Sequence, residues 1–187
     1  PFSKQFKKFI FVSVLFQLGA ASYSFFILQA HDIGIGLAFV PLVYLVFSLI
    51  YALLAKPMGR WSDKVGRHKV LPIGFFAFAL TTVGFAYVNS MWVWLFIALY
   101  GVSLAITDGV SRAYVADLTS NPRQGLALGG AFGTYHMTTG LASLAGAVGF
   151  GLIWDRFGAP TAFLFSAALS LIATGLFVII FPRVKKV

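Results

Sequence analysis

Six uncharged, apolar stretches of roughly twenty residues, separated by short polar or basic connections, leave this chain very few folds. Each is long enough to cross about 30 Å of hydrocarbon as a helix. Inside a bilayer the backbone must satisfy its own hydrogen bonds, which leaves helices or a closed barrel. Runs such as "FVPLVYLVFSLIYALLA" lack the two-residue alternation of barrel strands. The expected fold is therefore an all-α membrane protein with helices over about 9–30, 35–55, 70–88, 92–115, 125–153 and 160–181. Composition agrees: 59% of the 187 residues are hydrophobic and 10% are charged, and mean hydropathy is +0.90, far above soluble domains.

A net charge of +9 would suggest nucleic acid in a soluble protein, but here the cations sit at helix ends and set orientation. With the N-terminus inside, the inner side collects Lys4, Lys7, Lys8, Lys56, Arg60, Lys64, Arg67, Lys69, Arg123, Arg183, Lys185 and Lys186. The outer side collects Arg156. Both termini are then expected in the cytoplasm, with lipid as the surroundings and no nucleic-acid partner. Trp92, Trp94 and Trp154 fall near the outer interface and Trp61 near the inner one. The chain has no cysteine, which excludes disulfides and thiolate metal sites.

Two connections share a pattern. "GRWSDKVG" at 59–66 and "GLIWDRFG" at 151–158 both read Gly, three residues, Asp, a cation, one residue, Gly. The first joins the second and third helices inside, and the second joins the fifth and sixth outside. Two three-helix units of opposite orientation, about 1–90 and 91–187 within a single domain, account for this placement. Glycine permits a tight bend, and the aspartate can pair with arginine or accept from a helix N-terminus.

The stretch "GRWSDKVGRHK" at 59–69 resembles the cytoplasmic loop motif of the major facilitator superfamily, Gly-x-x-x-Asp-(Arg/Lys)-x-Gly-Arg-(Arg/Lys). His68 departs from it at a basic position, and Trp61 replaces the usual aliphatic residue. The resemblance extends to "DGVSRAYVADL" at 108–118, "WDRFG" at 154–158 and the six-helix hydropathy plan, and so covers essentially the whole chain. It implies half of a twelve-helix secondary transporter, with one substrate passage between the halves. The likeness of 108–118 to a tenth helix, and Pro1 without a preceding Met, point to the C-terminal half. The partner would be the N-terminal six-helix half. A stand-alone six-helix protein that pairs with a second copy, transporting or acting as an interaction partner, is the alternative. The resemblance further implies that the first and fourth helices line the passage, the second and fifth face the other half, and the third and sixth face lipid. The third and sixth carry no ionisable residue within their spans, as lipid exposure demands.

Candidate functional residues follow from these readings. Gly59, Asp63, Lys64, Gly66, Arg67 and Lys69 form the loop motif. The resemblance implies that Asp63 joins Arg112 and Asp117 in a charge network that latches the second and fourth helices. Asp108 and Arg112, four residues apart, share a helix face and are expected to pair; a proton-carrying Asp108 is the less favoured reading, because Arg112 opposes protonation. Gln17 and Ser24 lie on a small and polar stripe with Ser13 and Ala21, and Tyr135 and His136 form the remaining polar pair inside a span; these four are the candidate cavity residues. The glycines of the fifth helix, from Gly125 through Gly129, Gly133, Gly140, Gly146 and Gly149 to Gly151, suit an interface with the other half. No Gly-x-Ser-x-Gly or His-Glu-x-x-His motif is present, so neither an enzyme nor a cofactor is expected. The solute carried is a small molecule whose identity the residues do not specify; proton-coupled efflux is the expectation by analogy.

Overall fold

The computed structural model describes residues 2–119 and 125–181. Arg123, Arg183, Lys185 and Lys186, counted among the inner cations, lie outside the described residues. The helices are α1 (Lys4–Gly19), α2 (Tyr23–Asp32), α3 (Val40–Val65), α4 (Arg67–Tyr87), α5 (Val93–Thr119), α6 (Gly125–Phe157) and α7 (Ala159–Ile180), with a 3-10 turn at Leu37–Phe39. Among the described residues six units are long and apolar enough to span a bilayer, with α1 and α2 together making the first, Lys4–Asp32.

Three boundaries correct the sequence reading. The first helix, expected to run unbroken over 9–30, is interrupted at residues 20–22. The second, expected to end near 55, runs on to Val65. The motif at 59–69 is consequently not a loop: Gly59–Val65 are the last turns of α3, Gly66 is the entire link, and Arg67–Lys69 open α4. Charged side chains mark where a helix leaves hydrocarbon, not where it ends.

The two motif copies fold alike. Gly66 N–H donates to Ser62 O at 2.9 Å, and Gly158 N–H donates to Trp154 O at 2.8 Å, four residues back in each case. Each glycine then starts the next helix directly, with φ at 104° and 82° respectively, a region that side chains with a Cβ rarely adopt. The packing shares this symmetry. α3 lies mainly on α5, and α6 on α1; α4 lies on α7 and α5, and α7 on α4 and α1. This set of neighbours is unchanged when the first triplet of spans is exchanged for the second, as an inverted repeat requires.

Aromatic contacts fix the helix directions. Phe9, early in α1, meets Tyr114 and Phe177, late in α5 and α7, and Tyr135, early in α6. At the other end Phe26 of α2 meets Phe85, Tyr100 and Phe163. Successive spans therefore alternate. Tyr114 also lies one turn from Asp117, which pairs with Arg67, so Lys4, Lys7 and Lys8 share an end with the α3–α4 link. Trp154 packs with Phe25 and Phe163 at the opposite end, where Arg156 lies.

Burial is uneven. α4 is the most enclosed span, and its exposed large residues, Ile73, Phe76, Leu80, Val83 and Tyr87, fall on one apolar stripe. The third span thus exposes one apolar face along its length. α3 is the least enclosed, and α6 leaves Gly129, Gly133 and Gly140 against open space. Gly146 differs: a Cβ there would lie 2.6 Å from Leu18 O, so this glycine seats α6 on the backbone of α1.

Candidate functional site

The break in the first span forms one wall of a cavity of about 290 Å³. α1 ends because Gly19 is pressed against α7. A Cβ on Gly19 would lie 2.6 Å from that of Leu169, and Ser166 donates its hydroxyl to Gly19 O. Ala20 then turns to extended geometry (ψ 99°), and Ser22 accepts from Ser24 N–H at 3.4 Å to start α2. The carbonyl end of α1 and the amide end of α2 both border the cavity, so unwound backbone sits where it meets open space instead of lipid.

The rest of the lining is aromatic with polar points. Phe16, Phe75, Phe78 and Tyr100 supply rings, with Phe16 stacked on Phe75 at 4.1 Å. Ser13, Gln17, Thr107, Asp108, Ser111, Tyr135 and Ser143 supply polar groups. Thr107 donates to Ser103 O at 2.9 Å, within its own helix. Ser13 is 3% exposed, and its hydroxyl has no hydrogen-bond partner among the described residues. A buried hydroxyl without a partner is costly.

Asp108 carries the only carboxylate in the lining among the described residues. Arg112 pairs with it one turn on, matching the i, i+4 expectation. Tyr51 of α3 adds a contact the sequence reading missed, donating its hydroxyl to Asp108 Oδ2 at 2.7 Å. The available signal was a phenol inside an apolar run, since such a hydroxyl seeks a partner when buried.

The charge network differs from the expected one. Arg67, not Arg112, joins the two carboxylates: its guanidinium is 2.9 Å from Asp63 Oδ1, pairs with Asp117, and donates to Ala113 O at 2.7 Å. Arg112 is engaged one turn away with Asp108 and lies outside this cluster. The ends of α3 and α5 and the start of α4 meet on one arginine. Lys64 and Lys69 are not buried, and Gly59 is helical with open space around it.

Of the four candidate cavity residues, Gln17 and Tyr135 line the cavity, and Ser24 and His136 do not. Ser24 lies beyond the break, exposed on α2. His136 is exposed on α6, its ring near parallel to that of Phe132 at 6.3 Å. Thr134, Thr138 and Thr139 beside it donate to carbonyls of their own helix. Among the described residues no cluster of His, Asp or Glu is arranged to hold a metal ion.

The sequence profile of the Major Facilitator Superfamily matches residues 9–187. An uncharacterized MFS-type transporter of Methanocaldococcus jannaschii is 33% identical over 177 residues, covering 91% of this chain and 43% of that protein. Multidrug resistance protein 2 of Bacillus subtilis is 33% identical over 133 residues, covering 70% of this chain and 32% of its own length. The chain thus spans less than half the length of either relative. No solved structure matches it at a significant level.

Proposed function

The chain belongs to the major facilitator superfamily, and on that premise we propose that it is the C-terminal six-helix half of a secondary transporter that moves a small solute by alternating access. The carrying observation is the cavity of about 290 Å³ at the break between α1 and α2. Discontinuous helices place polar backbone at a midplane site in other transporter folds. Stacked rings, a few hydroxyls and an acid already neutralised by Arg112 suit a flat, largely apolar solute, neutral or singly cationic. The relative named for multidrug resistance supports outward movement, and proton coupling is the energy source we infer.

We read residues 1–187 as one domain of two repeat units, about 1–90 and 91–187. The end that gathers Lys4, Lys7, Lys8, Arg67 and Lys69 faces the cytoplasm on the positive-inside rule, with both termini there, in a plasma membrane or bacterial inner membrane. A second six-helix unit closes the cavity mouth, lying along the edge of α3 at Tyr44 and the face of α6 that carries Gly129, Gly133, His136 and Gly140. The open space at those glycines supports this. A second copy of the chain is the competing occupant, supported by the same open face.

Filling the cavity tests the proposal. In proteoliposomes that hold the chain together with its second six-helix unit, under a pH gradient, Ser13→Trp should abolish movement of a lipophilic fluorescent dye that the unsubstituted assembly moves, while leaving insertion and secondary structure intact. Undiminished dye movement in that variant would overturn the cavity as the solute path.

A further inference from the structure

The cytoplasm-facing end of α3 carries a concavity that neither the cavity nor the Arg67 cluster uses. Lys56, Arg60 and Lys64 recur every four residues and therefore share one face of the helix. With Pro57 and Trp61 they border a shallow, open concavity on the surface of α3. All three cations are exposed, and among the described residues none has a carboxylate partner. Asp63, the nearest acid in sequence, is held by Arg67 instead.

The same face continues upward as Leu53, Leu49, Leu45 and Leu42, all exposed. From Leu42 to Leu53 a helix rises about 17 Å, close to the ~15 Å depth of one leaflet. Tyr44 and Tyr51, on the cavity side, occupy a different edge of α3. The face thus presents an apolar track one leaflet deep that ends, within a turn, in three exposed cations beside an indole ring. A water-soluble anion would have no use for the track. An anionic phospholipid matches both parts, with its phosphodiester among the cations and its acyl chains along the leucines.

We propose that Lys56, Arg60, Lys64 and Trp61 form a headgroup site for an anionic phospholipid of the inner leaflet. Each cation strengthens occupancy roughly fivefold at low ionic strength, and salt weakens it.

The test uses the full chain with Trp92, Trp94 and Trp154 replaced by phenylalanine, so that Trp61 reports alone. In nanodiscs, brominated phosphatidylglycerol should quench Trp61 several-fold more strongly than brominated phosphatidylcholine at the same mole fraction. K56Q/R60Q/K64Q should erase the difference, and K4Q/K7Q/K8Q should keep it. Equal quenching by the two lipids in the unneutralised chain would overturn the site without reliance on any charge variant. Loss of the preference in K4Q/K7Q/K8Q would mean diffuse surface charge instead. Relief of quenching by added inorganic phosphate would assign the cations to a free anion and also sink the proposal.

Discussion

Arg67, the first residue of α4, pairs with Asp117 near the end of α5. The same guanidinium holds Asp63 of α3 at 2.9 Å, so one side chain gathers three helix ends. Arg67 is 22% exposed, while the two carboxylates are more than half exposed. The arginine is the enclosed member, and its removal takes away the cation that both acids share.

Arg67→Gln should therefore cost about 1–2 kcal/mol, less than a fully buried pair because water reaches both acids. It should also loosen that end of the bundle. The chain has no cysteine, so a single Ser62→Cys, at a site 1% exposed, can report opening by thiol labelling. Labelling should rise several-fold in Arg67→Gln and less in Asp63→Asn. A rate that stays the same in both variants rules out the latch.

Two glycines of one motif should respond in opposite ways. Gly66→Ala forces a Cβ into φ 104° and sets it 2.9 Å from the His68 ring, so a loss of about 1–3 kcal/mol is expected. Gly59 is helical with nothing within 4 Å of where a Cβ would sit, and Gly59→Ala should be neutral or gain up to about 1 kcal/mol. Thermal unfolding in detergent separates them.

Asp108, Arg112 and Tyr51 form a coupled set. Asp108→Asn and Arg112→Gln should each destabilise, and the double variant should lose less than their sum by about 1 kcal/mol. Tyr51→Phe should weaken the tie between α3 and α5 without removing the ion pair. Proton-linked transport that persists in Asp108→Asn would exclude a proton-carrying role for that carboxylate.

Gln17 and Ser24 lie on one stripe by sequence spacing, yet only Gln17 borders the cavity. A transported solute should slow thiol labelling of Gln17→Cys and leave that of Ser24→Cys unchanged. Equal protection of both would place the solute elsewhere.

The spans were legible because twenty apolar residues have few alternatives, and the pairing of Asp108 with Arg112 because four-residue spacing is a local rule. The break at 20–22 was not. "GAAS" holds no proline, and α1 stops where Gly19 meets Leu169 and Ser166 of a distant helix, a contact made over a separation of 147 residues. The same reason hid the arginine of the charge cluster. The resemblance pointed to Arg112, but the choice of Arg67 depends on how α4 crosses α5. Charge within "GRWSDKVGRHK" suggested a loop, whereas its helical ends are joined by Gly66 alone.

That one-residue link leaves no slack between α3 and α4. A tilt of either must be handed to the other in the same stroke, as in a bent crank, so the two helices cannot take turns. Inserting a pair of residues after Gly66 would give the joint play, and the proposed alternation between open states should then be lost even with every cavity-lining group in place.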